Sequence, residues 1–288
     1  MDYLIMRLCC SFLCGVVLSQ CGSLIQTGTR NILSSPSTFG LDGFAILWIL
    51  FLHSISLWLG ADSQWVFWAG IPVFYGLGFL YTRFIHTSSQ IEKSIFLGIA
   101  FNLVVATIFS LWQFLFMAFN KPFPSEVWFG HFRFVNIQIF LQIFATELLL
   151  LMGLKIFWKD LRAFTLGPVI SRQLQVKDNN LLSFIFISVS LATYMVVCSF
   201  GAFAFLGLVF PLIARKLWFK SFDLKGEILL GSALNGLFLM TVDYLCYEFP
   251  FYGAEIPVGL FATGMGAVSL VFILWKSTYR EFLAKPKK

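Results

Sequence analysis

Charged side chains are scarce in this sequence. Of its 288 residues, 12% are charged, whereas 59% are hydrophobic and 18% are aromatic. Because a soluble domain is about one quarter charged, this chain has too few polar side chains to cover a surface in water. Its hydrophobic runs are continuous rather than alternating, which disfavours a β-barrel. The composition therefore predicts an all-α, polytopic membrane protein.

Patterns of catalytic and metal-binding residues are lacking. Histidine occurs only at His53, His86 and His131, in three separate segments, and no H-E-x-x-H motif is present. Scattered histidines of this kind favour packing or interface roles over zinc binding. The P-loop that cradles nucleotide phosphates is also absent, so we do not expect the chain to hydrolyse ATP. The sequence predicts a non-catalytic protein with no metal site and no covalently bound cofactor.

The cysteines do not form a metal-binding pattern either. Four of the six, Cys9, Cys10, Cys14 and Cys21, lie in the first apolar segment. A metal or redox site needs supporting polar partners, and this segment offers no recognisable set of them. We therefore interpret the cysteines as small buried hydrophobic side chains.

Nine apolar segments follow one another along the chain. They cover residues 7–26, 40–60, 65–84, 94–118, 134–157, 181–201, 203–214, 227–247 and 256–276. A helix needs about 20 residues to cross the hydrocarbon core, so segment 203–214 is too short to cross straight. It is predicted to be a half-helix or re-entrant piece packed inside the protein. With no obvious low-complexity linker and no second soluble domain, residues 1–288 are predicted to form a single transmembrane domain.

The basic side chains predict the orientation. The net charge is +6, which can indicate a nucleic-acid partner, but in a membrane protein basic residues gather in cytoplasmic loops. If the C-terminus lies in the cytoplasm, nine crossings place 17 of the 20 Lys and Arg residues inside and leave Arg7, Lys121 and Arg133 outside. This distribution predicts an N-terminus outside, a C-terminus in the cytoplasm and no nucleic-acid partner.

The longest internal polar stretch runs from about residue 158 to 180. Proline in the interior of a helix removes a backbone hydrogen bond and kinks or breaks the helix. A Gly-Pro pair also marks a turn. We therefore expect one or two short helices lying on the membrane, with Gly167-Pro168 as the break between them.

Three stretches carry recognisable motifs. They read G-S-L-I-Q over 22–26, R-N-I-L-S-S-P over 30–36 and F-G over 39–40; T-L-G-P over 165–168 and S-R-Q-L over 171–174; and F-L-G-L-V-F-P-L-I-A-R over 205–215, followed by Asp243 and E-I-P-V-G over 255–259. In this order they resemble the ferric-siderophore, haem and vitamin B12 permease family of type II ABC importers. The residues that match family motifs are Gln26, Arg30, Pro36, Gly40, Gly207, Pro211, Arg215, Asp243, Glu255, Pro257 and Gly259.

Some positions depart from the family pattern. Ile32 replaces the usual Pro, Leu212 the usual His, and Gln175 the second Gly of the L-G motif. An arginine usual just after the Asp243 position is absent, and Glu248 stands nearby. The family has ten membrane helices. Because Arg7 falls where the family has an arginine at the start of its second helix, the resemblance implies about nine here.

The resemblance implies a function and partners. It implies the permease subunit of a binding-protein-dependent ABC importer in the bacterial inner membrane, which carries an iron chelate (a siderophore or haem) or cobalamin by alternating access. Two copies would form the pore at their dimer axis. A separate ATPase subunit would use the ATP, and a periplasmic or lipoprotein substrate-binding protein would deliver the substrate.

The resemblance also implies which residues carry these roles. Asn31 and Leu33 align with the cytoplasmic gate of the family, and Arg7 with a docking site for the binding protein. The coupling loop that meets the ATPase would include Leu166, Gly167, Pro168, Ser171, Arg172, Gln173 and Leu174. The predicted outer face carries three basic and five acidic side chains, so Arg7 is expected to be the one retained anchor for that partner.

Three carboxylates lie in or next to apolar segments and need separate interpretation. Glu147 and Asp243 lie within apolar segments, where a carboxylate is costly and is by default a functional hypothesis. For Asp243 an interhelical hydrogen bond or a contact with a helix terminus is favoured, whereas the role of Glu147 stays open. Glu255 precedes Ile256-Pro257 and is expected to cap the next helix.

Two alternative functions compete with the one that the resemblance implies. Permeases for bare zinc or manganese have a similar length and a G-x-x-x-x-P element, but they lack the R-N-x-L-x-x-P and E-I-P-V-G motifs seen here. An intramembrane enzyme or sensor is the alternative from another class. An enzyme needs paired catalytic residues at membrane depth, and none are visible.

Overall fold

The computed structural model describes most of the chain. It covers residues 3–59, 63–84, 88–121, 123, 126–218, 223–252, 254–269 and 271. His86, Lys220 and the C-terminal basic residues from 276 onward, which contributed to the predictions above, lie outside the described residues. So does the end of the last apolar segment, 272–276.

The described residues form twelve helices. They are α1 (Tyr3–Thr29), α2 (Leu41–Leu59), α3 (Ser63–Phe84), α4 (Ser88–Ala118), α5 (Glu126–Phe129), α6 (Ile137–Ile156), α7 (Trp158–Thr165), α8 (Pro168–Gln173), α9 (Asp178–Phe200), α10 (Leu206–Leu217), α11 (Leu224–Glu248) and α12 (Val258–Ser269). Each of the nine predicted apolar segments contains one of these helices. The only β pairing in the described part is an isolated bridge between Phe251 and Ala254. The predicted all-α polytopic fold is confirmed.

Five helices are both long and apolar enough to cross a membrane: α1, α4 from Gln90, α6, α9 and α11. The apolar parts of α2 and α12, Leu41–Ser56 and Val258–Ser269, are shorter. The chain is therefore a multi-pass membrane protein.

Local capping residues set several helix ends. The Asn136 side chain accepts a hydrogen bond from the Ile139 N–H at the start of α6, and Asp223 accepts one from the Gly226 N–H at the start of α11. Such side chains satisfy N–H groups that have no helical partner. At the other end of a helix, Gly201 follows α9 with φ +84°, a conformation that glycine adopts without steric cost.

Helix α1 forms the centre of the bundle. It packs against α6, α7, α9, α10 and α11, and 72% of its most apolar window is buried, compared with 17% for α4. Small residues allow this close packing. A Cβ atom added to Gly15 would lie 2.5 Å from the Asn235 carbonyl oxygen of α11, and the Asn235 side chain donates a 2.7 Å hydrogen bond to the Gly15 carbonyl.

The cysteines contribute to the same core. Cys10, Cys14, Cys21 and Cys246 are buried, and all six are free thiols. Cys10, Cys14 and Cys21 lie in the hydrophobic cluster around α1. The predicted packing role of these side chains is confirmed for the four buried residues.

Helix α10 is the predicted half-helix. Its 12 residues span about 18 Å at 1.5 Å per residue, well short of the roughly 30 Å hydrocarbon core. It begins beside the middle of α1, where a Cβ atom added to Gly22 would lie 1.5 Å from the Gly207 carbonyl oxygen. Pro211 has no N–H to donate to that carbonyl, and Gln26 donates a 3.2 Å hydrogen bond to the next one, Leu208. The first turn of the half-helix thus lies against protein rather than in lipid.

The contacts between helices agree with the predicted alternation of the loops. At one end of the bundle Arg30 lies against Phe164, and Arg215 pairs with Glu227. At the other end the His131 N–H donates to the Phe200 carbonyl, and Arg7 pairs with Glu255. Residues predicted to be inside meet one another, and so do residues predicted to be outside.

Candidate functional site

The loop after α1 presents two apolar side chains. The Leu33 N–H donates a 2.9 Å hydrogen bond to the Asn31 side chain, which forms an Asx turn. The side chains at the tip of this turn, Ile32 and Leu33, are 51% and 40% exposed. The predicted gate residues Asn31 and Leu33 therefore belong to one small turn. The asparagine shapes the backbone, and the leucine provides exposed apolar surface.

A buried polar base supports this turn. Thr29 donates a 2.8 Å hydrogen bond to the Ser34 hydroxyl, and the Ser35 N–H donates to the Thr38 hydroxyl at 2.8 Å. Pro36 lies beneath it against Gly207 of the half-helix. Gly40, just before α2, has φ +76°, a value that favours glycine. The motif residues around the turn thus fix its position relative to α1, α2 and α10.

Arg30 joins this turn to α7. Its guanidinium lies 3.8 Å from the centre of the Phe164 ring and donates a 3.4 Å hydrogen bond to the Phe164 carbonyl. Arg30 itself has φ +51°, so the chain turns away from α1 at this residue. Because Phe164 is buried, the arginine is stacked on a side chain that is anchored in the core.

Helices α7 and α8 form the predicted pair of short helices, separated at Leu166 and Gly167. Gly167 has φ +107° and no atom within 4 Å of an added Cβ. Ser171 is buried, whereas Leu166, Val169, Ile170, Gln173 and Leu174 are exposed. The side chains of Pro168 and Arg172 are not among those that the structure describes. The pair therefore presents an apolar surface at the same end of the bundle as the turn at Asn31–Leu33.

The N-terminal end of α1 holds a buried ion network. Arg7 is 1% exposed; its Nε and Nη2 donate to Asp243 Oδ1 at 2.9 and 2.8 Å, and its Nη1 donates to Glu255 Oε2 at 2.9 Å. The guanidinium also lies 5.1 Å from the centre of the Tyr247 ring. Charge-assisted bonds of this kind are stronger than neutral ones, and here they tie α1 to α11 and to the segment before α12.

This network corrects two predictions. A docking anchor needs an exposed cation, and Arg7 is enclosed by two carboxylates, so its predicted docking role is wrong. The predicted capping role of Glu255 is also wrong in its geometry, because α12 begins at Val258 and the Glu255 carboxylate binds Arg7 instead. The interhelical hydrogen bond favoured for Asp243 is confirmed.

Glu147 also has a partner that its sequence neighbourhood does not suggest. The Gln20 side chain of α1 donates a 2.6 Å hydrogen bond to Glu147 Oε1 of α6, and both residues are buried. A buried carboxylate needs such a partner to offset its loss of hydration. Gln20 lies in an apolar run, and no signal in the sequence singled it out.

A polar group between α2 and α4 was also missed. The Ser37 hydroxyl donates a 2.6 Å hydrogen bond to Asp42, and the Asn102 side chain donates a 2.6 Å bond to the Ser37 carbonyl. Asp42 and Asn102 line a cavity of about 370 Å³ that also touches Thr263 of α12. Asn102 lies within the apolar segment 94–118, and a polar amide in such a segment was the available signal.

The remaining motif residues serve helix packing. A Cβ atom added to Gly259 would lie 2.0 Å from the Phe129 carbonyl oxygen, and the Gly259 N–H donates a 3.0 Å bond to the Gly130 carbonyl. Pro257 precedes this contact and accepts a hydrogen bond from the Leu260 N–H. At the opposite end of the bundle, Arg215 bonds Glu227 at 3.1 Å. Among the described side chains, no group of three His, Cys, Asp or Glu is placed to hold a metal ion.

Comparisons with known proteins agree with this architecture. The family model described as the FecCD transport family matches residues 1–276. The probable siderophore transport system permease protein YfhA of Bacillus subtilis is 24% identical over 291 residues, which cover 96% of this chain and 81% of that protein. The Fe(3+) dicitrate transport system permease protein FecD of Escherichia coli is 26% identical over 285 residues, covering 95% and 84%.

A solved structure shares the fold. It is an ABC transporter described as metal-chelate type, in an inward-facing conformation, with a TM-score of 0.74 and 20% identity. The match covers 94% of this chain and 85% of the solved chain. At this identity the likeness concerns the fold.

Proposed function

The chain belongs to the FecCD transport family, and from that premise we propose that it is the permease subunit of an ABC importer that carries a ferric chelate across the bacterial inner membrane. The named functions of its relatives, siderophore transport and Fe(3+) dicitrate transport, support a chelate over a bare ion. Haem and cobalamin are the wider substrates of the family.

The observation that carries the mechanism is the contact between Arg30 and Phe164. It connects the turn at Asn31–Leu33 directly to α7, and α7 continues into α8 with its exposed apolar surface. A separate ATPase subunit that binds α7 and α8 and moves on ATP binding would therefore shift the turn as well. In this proposal the turn is the cytoplasmic gate, and α7 and α8 are the coupling element.

The exposed faces of α4 and α12 support a homodimer. Leu103 and Val104 of α4 are 67% and 54% exposed, and Val268 of α12 is 71% exposed. A Cβ atom added to Gly264 of α12 would meet no atom within 4 Å. Small residues on a helix face allow another helix to approach closely. We infer that a second copy packs here and that the pathway runs between the two copies.

This arrangement assigns the remaining roles. The chain supplies no nucleotide-binding motif, so ATP is hydrolysed on the ATPase partner and no covalent chemistry is done on the substrate. The end that carries Arg30, α7 and α8 faces the cytoplasm, in accordance with the basic residues of the adjacent loops. The end that carries Arg7 and Glu255 faces outward, toward the substrate-binding protein.

Transport by reconstituted protein tests the proposal. The permease, its ATPase and its binding protein are assembled in proteoliposomes, and uptake of ferric siderophore, ferric citrate, haem, cobalamin, Zn²⁺ and Mn²⁺ is measured in parallel. We expect ATP-dependent accumulation of a ferric chelate. The control carries an ATPase that binds ATP without hydrolysing it. Accumulation of Zn²⁺ or Mn²⁺, with no uptake of any chelate, would contradict the proposal.

A further inference from the structure

The connection between α11 and α12 exposes three aromatic side chains. Tyr252 is 95% exposed, and Phe249 and Phe251 are each 67% exposed; these three residues are called the aromatic turn below. Phe251 and Ala254 exchange two backbone hydrogen bonds of 2.9 and 3.0 Å. The rings of Phe251 and Tyr252 are 4.7 Å apart and nearly perpendicular. The aromatic turn is therefore held in a defined shape while its rings remain uncovered.

The aromatic turn lies over the centre of the bundle. On the α11 side Asp243 and Tyr247 contact Arg7, and on the α12 side Glu255 binds the same guanidinium. Both flanks are thus fastened to the N-terminal end of α1, the helix that packs against α6, α7, α9, α10 and α11. A turn in this position lies at the end of the bundle that the proposed function places outside. Its exposed rings are available there to a soluble partner.

The stretch around the aromatic turn offers no free positive charge. Residues 243–257 include no Lys or Arg, Asp243 and Glu255 are bound to Arg7, and Glu248 is exposed. This surface does not attract an acidic partner by charge. Exposed aromatic side chains are the anchors that carry most of the binding energy at protein interfaces, where they fill pockets of the partner.

We propose that the aromatic turn is the docking anchor for the soluble substrate-binding protein, and that it inserts into an apolar cleft of that partner. The inference rests on the proposed import function, which places this end of the bundle outside. It also replaces the arginine docking predicted from the sequence. Because apolar burial is insensitive to salt whereas exposed ion pairs are screened, the complex is expected to depend little on ionic strength.

Binding kinetics on the intact complex test the inference. The permease–ATPase complex in lipid nanodiscs is titrated with the binding protein that supports uptake in the reconstituted system, at low and at high NaCl concentration. Tyr252→Ser is expected to raise Kd at least about tenfold at both salt concentrations, mainly through faster dissociation. The control is Phe84→Ser, which removes a 68% exposed ring at the opposite end of the bundle and should change Kd less than about twofold.

A second measurement tests which surface covers the aromatic turn. Tyr252→Cys is exposed to a water-soluble, membrane-impermeant maleimide, with the unsubstituted protein as background. Fast labelling that the binding protein blocks supports docking. Lack of labelling in nanodiscs would place the turn in lipid, and a disulfide joining the introduced thiols of two copies would place it between those copies; either result overturns the inference.

The results that would contradict the docking proposal differ from those that would contradict the proposed transport function. An unchanged Kd in both Tyr252→Ser and the double variant Phe249→Ser/Tyr252→Ser overturns the docking anchor while transport stands. If the unsubstituted complex neither binds the binding protein nor moves a ferric chelate, the proposed function itself is wrong.

Discussion

The Arg30 guanidinium lies 3.8 Å from the centre of the Phe164 ring, and this stack is the contact between the turn after α1 and the short helix α7. Arg30 belongs to the motif R-N-I-L, whereas Phe164 directly precedes the motif T-L-G-P. Two motifs that are far apart in the chain therefore meet at one point. In the proposed coupling, movement of α7 would reach the turn through the contact between Phe164 and Arg30.

Loss of this stack should uncouple ATP hydrolysis from transport. A cation–π contact is worth about 1 kcal/mol at a partly exposed site, so Arg30→Ala is expected to reduce chelate uptake about fivefold while ATP hydrolysis continues. Arg30→Lys should be intermediate, because it retains the charge but not the planar group. Uptake and hydrolysis are measured on the same proteoliposomes.

The matched control for this experiment is Arg83→Ala. Arg83 is also exposed and lies 5.2 Å from the centre of the Phe79 ring, but both residues belong to α3. It should leave the ratio of uptake to hydrolysis unchanged. An equal loss in Arg83→Ala and Arg30→Ala would show that the Arg30 contact has no special part in coupling.

The break between α7 and α8 permits a second test. Gly167 has φ +107° and open space around its Cβ position, so Gly167→Trp is expected to leave the fold intact but to obstruct the surface proposed for the ATPase. Transport should fall to background, and the ATPase should co-purify less well. Gly76→Trp, at another open position, is the control. Normal transport in Gly167→Trp would mean that the coupling element is elsewhere.

The ion network at the other end should stabilise the protein. Removing one partner of a buried ion pair costs about 3–5 kcal/mol, so Asp243→Asn is expected to lower the melting temperature by roughly 5 °C or more. Glu255→Gln should have a smaller effect, because that side chain is 27% exposed. Thermal unfolding in detergent gives the values, and the exposed Glu248→Gln should be neutral. If the Asp243→Asn variant is as stable as the unsubstituted protein, Glu255 alone is enough to stabilise the buried charge of Arg7.

The contact between α1 and the half-helix tolerates no side chain. A Cβ atom on Gly22 would lie 1.5 Å from the Gly207 carbonyl oxygen. Even ordinary overpacking by a methylene costs about 1–3 kcal/mol, so Gly22→Ala is expected to abolish the folded protein. Gly76→Ala, which meets open space, should be produced normally. The readout is the monodisperse fraction in size-exclusion chromatography, and a stable Gly22→Ala variant would show that α10 can move away from α1.

Much of the fold was accessible from the sequence because its signals are local. Hydrophobic length predicted the helical segments, and the shortness of segment 203–214 predicted the half-helix α10. The pair Gly167-Pro168 predicted the break between α7 and α8. The motifs predicted the family. Each of these features depends on residues that are neighbours along the chain.

Pairings between distant residues were not accessible in the same way. Arg7 was predicted to be a docking site because the resemblance aligns it with one and because it is one of only three basic residues on the predicted outer face. Its partners Asp243 and Glu255 lie 236 and 248 positions away. The same reason applies to Gln20, which meets Glu147 across 127 positions.

The sequence by itself determined that the chain is a helical membrane protein of this family, since a bilayer selects continuous apolar helices and the motifs retain their order. Only the tertiary structure decided which charges are enclosed and which rings are left exposed. The packing of α11 on α1 brings Asp243 to Arg7, and the return of the chain into α12 adds Glu255. Burial of a charge requires a partner, so this packing withdraws Arg7 from the surface and leaves Phe249, Phe251 and Tyr252 exposed there.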